Sequence, residues 1–335
     1  YLMSEYRRRI GISGMHGKST CTSMCALTLM RAGADPTVMS GAVLPEMDGA
    51  YHIGSKENFL FEACEYMDSF LDFNPNIAVV LNIEMDHVDY FKSMEHIKRS
   101  YRSFASITGK SGCVVANADD EEVSAALSGI EPRVVSFGIE SPDADVRAEN
   151  IECKKGRYSF DIMAKGDTVC RVQLSVSGYH NIYNALATAA VALECGLDGA
   201  EIKRGLEAFC GAARRMEYKG KWNDVDVYDD YAHHPTEIKT TLEAACQMGF
   251  GRVICVFQPH TYSRTAELFD GFASALSCKG IDEMILAPIY SARETNTYGI
   301  YSEDLAKAIC EKGQSCRVIE EFAGIADYMN SVSGE

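Results

Sequence analysis

Positive charge is scarce in this sequence. Its 32 lysines and arginines stand against 48 aspartates and glutamates, leaving a formal charge of −16 over 335 residues. A surface that negative repels nucleic acid and anionic membranes, which argues against both as partners. An anionic small molecule would need local positive groups to overcome the field, so each Lys, Arg or helix N-terminus near a site gains weight. No apolar run approaches the ~18–20 residues that a membrane-crossing helix needs. Disulfide and zinc spacing is missing too. None of the thirteen cysteines is paired as C-x-x-C, and most sit in apolar runs such as "GCVVANA" and "VICVF". They read as buried small hydrophobes in a reducing cytosol, not as a covalent or metal framework. There is no internal repeat and no low-complexity tract. No signal-peptide pattern precedes the first strand, so the expected location is cytoplasmic. The abrupt start at Tyr1, almost directly before a strand, points to a missing leading segment.

What is present fits a soluble globular protein of two or three domains at roughly 100–200 residues each. The first unit reads strand "RIGIS", glycine-rich loop, then a helix over 19–32 stopped by Gly33. "NFLFEAC" (58–64), "IAVVLNI" (77–83), "CVVANA" (113–118) and "RVVSFGI" (133–139) read as buried strands, with a helix over roughly 93–108. Alternating strands and helices predict a mostly parallel sheet with helices on both faces. Residues 145–175 alternate over short stretches separated by "KKG" and "KGD", the pattern of antiparallel hairpins leaving the parallel sheet. Two helices follow, over 179–196 and to about Phe209. A second α/β unit then begins: strand "VDVYDD" (225–230), helix 235–248, strand 252–257, helix 264–277, strand 283–288, helix 303–311 and the short "CRVIEEF". The fold class is α/β, a P-loop-type domain with a small antiparallel excursion plus a Rossmann-like domain. The boundary near "CGAARRMEYKG" divides 1–210 from 211–335.

The chemistry gathers at strand ends. "GISGMHGKST" (11–20) places glycines, Lys18 and Ser19 between a strand and a helix. Backbone N–H groups and the helix dipole would attract phosphate, Lys18 would neutralise it, and the Ser19 hydroxyl could bind Mg²⁺. The general P-loop, G-x-x-x-x-G-K followed by Ser or Thr, wants its first glycine at position 12, which is Ile12. A plain glycine-rich turn therefore stays open beside the phosphate reading. "FEACEYMDSFL" ends a strand in Glu62 and Glu65, as metal-contacting carboxylates or as a solvated loop. "NIEMDHVDY" adds Asp86, His87 and Asp89, groups able to hold a metal. "SGYHNIYNALA" sets His180 and Asn184 one turn apart on a helix face, for capping or for base recognition. "DDYAHHPTEI" and "FQPHTYSRTAEL" end two strands with Tyr231, His233, His260 and Arg264, a polar rim suited to a carboxylate, or ordinary loop residues.

Together these stretches resemble the Mur ligases of peptidoglycan synthesis. That family's loop is shorter than the general one: a glycine, commonly threonine, one residue, then G-K and Ser or Thr. Here it reads Gly14-Met15-His16-Gly17-Lys18-Ser19, and the His-Gly-Lys wording is typical of the branch that adds alanine. "EACEYMDSFL", "NIEMDHVDYF", "GYHNIYNA", "GAARRMEYKG", "DDYAHHPTEI" and "FQPHTYSRT" match in order over nearly the whole chain. The resemblance implies that ATP phosphorylates the carboxylate of UDP-N-acetylmuramate and that L-alanine attacks the acyl phosphate. It implies ATP and Mg²⁺ as cofactors, with residues Gly14, Met15, His16, Gly17, Lys18, Ser19 and Thr20 around the phosphates. Ser19, Glu65 and His87 would serve the metal ions, and His180 and Asn184 would meet adenine. Arg215 would reach the γ-phosphate, Asp230 the ribose side, and Tyr231, His233, His260 and Arg264 the alanine.

Several positions depart from the family pattern. Met15 replaces the loop threonine, and Thr261 stands where many members carry arginine, which leaves Arg264 as the main carboxylate partner. No lysine suits the carbamate of later members. By the same comparison the UDP-holding N-terminal domain and the closing strand and helix lie outside this chain. The rival readings are murein peptide ligase, folylpolyglutamate synthetase (which lacks the "HGK" and "DDYAHHP" wording), a P-loop kinase, and a non-catalytic nucleotide-binding fragment. Oligomeric state is not legible.

Overall fold

The computed structural model describes residues 2–332 apart from 48 and 89. Two compact units meet between residues 213 and 214. In the first, short apolar or alternating runs become strands; α2 and α5 are amphipathic helices, whereas α1 and α4 are buried over most of their length. In chain order they are β1 (Arg8–Ser13), α1 (Lys18–Arg31), β2 (Pro36–Leu44), β3 (Gly49–His52), β4 (Ser55–Glu62), β5 (Ile77–Val80), α2 (Met94–Ser106), β6 (Cys113–Asn117), α3 (Glu121–Leu127), β7 (Arg133–Gly138), β8 (Val146–Lys154), β9 (Arg157–Ala164), β10 (Asp167–Ser177), α4 (His180–Glu194) and α5 (Gly199–Ala208).

Among the described residues these ten strands form one sheet, in the order β10-β9-β8-β7-β6-β5-β1-β4-β2-β3. Strands from β2 to β8 across the sheet run parallel, while β3, β9 and β10 pair antiparallel. The expected mostly parallel α/β architecture is present. The hairpin region, however, does not leave the sheet: β8 pairs with β7 and prolongs it. The sequence suggested no element in 36–52, where the structure has β2 and β3. Pro36 only opens β2, where its missing N–H costs no ladder bond.

The sheet is packed on both faces. Ile10, Ile12, Leu60, Val79 and Val115 face α1, α4 and α5; Phe61, Ala78, Val80 and Val114 face α2 and α3. At β1 the chain order reverses: β4 lies on one side and β5 on the other. The C-terminal ends Ser13, Glu62 and Val80 therefore open one crevice, the position where such sheets hold ligands.

The second unit contains β11 (Glu217–Trp222), β12 (Val225–Asp229), α6 (Pro235–Gln247), β13 (Ile254–Phe257), α7 (Tyr262–Glu267), α8 (Phe269–Ala275), β14 (Glu283–Leu286), α9 (Ser302–Glu311), β15 (Cys316–Val318) and α10 (Phe322–Val332). β13, β14 and β15 form a parallel sheet. β12 does not begin that sheet, as the sequence suggested. It pairs antiparallel with β11, joined by Asn223 and Asp224, both with positive φ (47° and 64°), the conformation that two-residue hairpin turns demand. The helix expected over 264–277 is broken at Leu268 (φ −106°, ψ 22°) into α7 and α8. α10 was not anticipated.

Candidate functional site

The loop between β1 and α1 is shaped by two glycines and one asparagine. Gly14 (φ 150°) could not carry a Cβ, which would stand 2.8 Å from Leu81 Cβ, and Gly17 (φ 83°) would press one to 2.9 Å from Asn184 Oδ1. Asn82, just beyond β5, grips the loop backbone from both sides: its Oδ1 accepts from His16 N at 2.8 Å and its Nδ2 donates to His16 O at 2.9 Å. Met15 N also donates to Asn82 O, and the Met15 side chain is buried in the core. Gly17 caps α1 without a side chain. The N–H groups of Lys18, Ser19 and Thr20, at the first turn of a 14-residue helix, therefore gather at its positive end.

Lys18 folds back over this loop. Its Nζ donates to Gly14 O at 2.6 Å and Met15 O at 3.2 Å and contacts both oxygens of Glu65, at 3.1 and 2.9 Å. Glu65 is 1% exposed. Burial alone pushes its carboxyl up, but the Lys18 ammonium and the bond to His87 outweigh that and hold it below the usual carboxylate range. Its Oε2 meets Lys18 as an ion pair but has no hydrogen-bond partner among the described residues. His87, itself left-handed (φ 49°), brings Nε2 to 3.1 Å from Glu65 Oε1. Ser19 Oγ donates to Glu62 Oε1 at 3.1 Å, and Glu62 Oε2 accepts from Gly41 N at 2.8 Å. The structure thus gathers Lys18, Glu65 and His87 directly, and couples Ser19 to Glu62. Oxygen donors, an imidazole and a buried acceptor lacking a hydrogen bond form a set that fits a hard divalent cation. Asp89 lies outside the described residues. His16 Nε2 lies 3.0 Å from Glu84 Oε2.

The turn bearing Glu65 continues through Met67 and Asp68, consecutive non-glycine residues in the left-handed region. Each costs about 1–2 kcal/mol relative to ordinary backbone.

At the start of α4, neither His180 nor Asn184 caps the helix. The cap is Tyr179, without a side-chain bond. Asn184 Nδ2 donates to Asn181 Oδ1 at 3.0 Å, and Asn181 donates to Ser177 O. Asn184 instead sits beneath Gly17 of the β1–α1 loop. His180 keeps part of its surface in solvent, yet its Nδ1 is shut away with no hydrogen-bond partner among the described residues. Burial pushes the ring down to about 4. Because that value lies below the unfolded 6.5, the ring's contribution is intact above pH 6.5 and is lost as pH falls toward 4. We expect the loss to reach about 1–2 kcal/mol, allowing for the part of the ring that still meets water. Melting curves between pH 7 and 4 should show it, and His180→Gln should flatten that dependence; an equal slope in the variant would contradict the assignment.

In the second unit, Asp230 holds the segment that carries Arg215. Its Oδ2 accepts from Met216 N at 2.8 Å and its Oδ1 from Ala232 N at 2.7 Å. Burial nonetheless pushes its carboxyl up. The guanidinium carbons of Arg214 and Arg215 lie 4.5 and 5.8 Å from the Tyr231 ring centroid. Tyr231, His233, His260 and Tyr290 form a row of rings with centroids 5.4, 6.3 and 5.4 Å apart. Arg264 Nη1 approaches His260 Nδ1 at 3.4 Å. Burial first, then Arg264 and His233, push His260 down, so the neutral ring can accept from Arg264. The four residues named from the sequence therefore share one rim. Two partners were missed. Tyr290 bridges to His260 from beyond β14, and Glu294 accepts from Ser263 N and Oγ at 2.9 and 2.5 Å. Neither lies near a recognisable motif, so only the fold reveals them.

Residues 12–192 match the Mur ligase middle domain, and residues 214–334 match the family described as Mur ligase, glutamate ligase domain. The chain is 44% identical over 329 residues to the UDP-N-acetylmuramate–L-alanine ligase of Caldicellulosiruptor saccharolyticus, covering 98% of this chain and 72% of the relative. It is likewise 44% identical to that of Acetivibrio thermocellus, covering 98% and 70%. The crystal structure of the UDP-N-acetylmuramate–alanine ligase of Thermotoga maritima superposes with a TM-score of 0.80 at 25% identity, covering 97% of this chain and 70% of that one. A murein peptide ligase from Psychrobacter arcticus shares the fold, with a TM-score of 0.70 at 23% identity over 99% and 74% of the two chains.

Proposed function

The chain belongs to the Mur ligase family, and on that premise we propose that it joins L-alanine to UDP-N-acetylmuramate with conversion of ATP to ADP and phosphate. The observation that carries the reading is the convergence of Lys18, Glu65 and His87 on a glycine-shaped loop at the start of α1. A muramyl carboxylate oxygen attacks the γ-phosphorus, ADP departs, and the acyl phosphate is attacked by the alanine amino group with loss of phosphate.

Phosphoryl transfer asks the protein for positioning and charge more than for covalent chemistry. The N–H groups of Lys18, Ser19 and Thr20 and the turn from Gly14 through His16 would cradle the phosphates. Lys18 would exchange its loop carbonyls for β- and γ-phosphate oxygens. Ser19 and Glu65 would hold Mg²⁺ and His87 would help hold a second Mg²⁺ beside Glu65, with Glu62 orienting the Ser19 hydroxyl. When bound, the metal supplies charge neutralisation across the phosphate oxygens. His180 and Asn184 would meet adenine, Asp230 the ribose side, and Arg215 the γ-phosphate. Arg264 would take the alanine carboxylate, with Tyr231, His233 and His260 around it.

Phosphate release, measured with ATP, Mg²⁺ and UDP-N-acetylmuramate, tests this. Free L-alanine should drive it, and L-Ala-γ-D-Glu-meso-diaminopimelate far less. The reverse preference would assign the recycling reaction of murein peptide ligase. Release with neither would leave a nucleotide-binding fragment.

A further inference from the structure

The Glu65 turn is built from backbone that side-chain-bearing residues avoid. Met67 (φ 54°, ψ 30°) and Asp68 (φ 56°, ψ 21°) follow one another in the left-handed region. Such strain persists only where the surroundings over-determine it, and it gathers at functional sites. Here Asp68 supplies the restraint. Its Oδ2 accepts from Tyr90 OH at 2.5 Å, and its Oδ1 accepts from Ser100 Oγ on α2. Each candidate ligand also accepts a backbone bond from the third residue beyond it. Asp68 N donates to Glu65 O at 2.9 Å, and Tyr90 N donates to His87 O at 2.8 Å. The two segments are then joined twice, through Glu65 Oε1 and His87 Nε2 at one corner and through Asp68 and Tyr90 at the other. The Tyr66 ring packs beside the joint, with its centroid 4.8 Å from His87 and 6.2 Å from Tyr90.

We propose that Asp68 and Tyr90 are positioning residues for the divalent cation, their bond setting the separation of Glu65 from His87. The inference rests on the reading of Glu65 and His87 as cation ligands. Two ligands on separate loops grip an ion tightly only when something else fixes the loops' spacing, and outer partners of metal ligands typically govern affinity. Ser100, buried on α2 at 4% exposure, ties the arrangement to the sheet-and-helix body. The strained pair is thereby held against relaxation that would swing Glu65 away from His87.

The test is Mn²⁺ binding by electron paramagnetic resonance with a non-hydrolysable ATP analogue, alongside metal-free analogue binding in EDTA and thermal melting. Tyr90→Phe and Asp68→Ala are each expected to weaken Mn²⁺ about tenfold, the usual effect of losing such a partner. Metal-free analogue affinity should hold within about twofold, because that binding relies on the loop N–H groups. Asp68→Asn, which keeps an acceptor for Tyr90, should recover most of the Mn²⁺ affinity. Unchanged Mn²⁺ affinity in Tyr90→Phe, beside a wild type that binds the ion, would overturn the proposal. So would parallel losses of Mn²⁺, metal-free analogue and melting temperature, which mark a purely structural role. If Asp68→Ala does not fold, Tyr90→Phe decides alone. A wild type that binds the analogue but no Mn²⁺ would overturn the cation reading itself.

Discussion

Lys18→Ala is expected to lower ATP-dependent phosphate release about a thousandfold, the scale of removing one positioned charge from a developing transition state. The ammonium sits against Gly14 O, Met15 O and Glu65, and no neighbouring cation on the described loop replaces it. The substitution also leaves Glu65 buried with His87 as its remaining side-chain hydrogen-bond contact. Its carboxyl then rises, and protonation relieves most of the burden. The fold should survive with a stability loss of about 1–3 kcal/mol, seen as an unchanged circular dichroism spectrum and a modestly lower melting temperature. The sign of the pH effect follows from the lowered carboxyl of Glu65. Its stabilisation is present above the ordinary carboxylate range and disappears as pH falls through the lowered value, and the variant should show less of it. Undiminished turnover in Lys18→Ala would remove the phosphate loop from the mechanism.

Arg264→Ala is expected to raise the KM for L-alanine about 10- to 100-fold, corresponding to a charge-assisted contact of about 1.5–3 kcal/mol. The KM for ATP should stay near its wild-type value, since the change removes a binding contact to the amino acid. The geometry favours a large effect. Thr261 caps α7 from a left-handed backbone (φ 67°), accepting from Arg264 N at 3.4 Å, while Ser263 is tied to Glu294. The guanidinium therefore leaves a fixed turn and meets His260. Steady-state kinetics with each substrate varied in turn would check it. An unchanged KM for alanine would pass the carboxylate to another residue of the rim.

The crevice at β1 was legible because its signals are local. Gly14, Gly17, Lys18 and Ser19 sit close together, and Glu62, Glu65 and His87 lie at or within a few residues of the end of an apolar run. The parallel core was legible for the same reason: β5 and β6 are short and buried throughout, and β1 is buried from Ile10 to Ser13. What escaped depends on pairing. "VDVYD" alternates in a way that suits either neighbour, and only the Asn223–Asp224 turn decides for the hairpin with β11. That two-residue turn signal was present in the sequence and unused. Asn82 was quoted within its motif, yet its grip on His16 bridges 66 positions. Asp68 and Tyr90 lie inside two recognised motifs, but spacing along a chain does not say that residues 22 positions apart are bonded. Glu62 was named beside Glu65, and only the structure separates their tasks, one against Ser19 and one against Lys18.

Lys18 already plays the cation to Glu65, and this has a thermodynamic consequence. On the proposed function, a phosphate that drew the ammonium outward would strand a carboxylate that is 1% exposed, and a metal ion arriving there would restore the balance. Each ligand would thereby make room for the other. Linkage requires the benefit to be equal in both directions, so whatever factor the nucleotide adds to metal affinity, the metal adds to nucleotide affinity. On the proposed function the loop would favour the pair: an anion without a cation, or a cation without an anion, would compete with the Lys18–Glu65 ion pair that is already made.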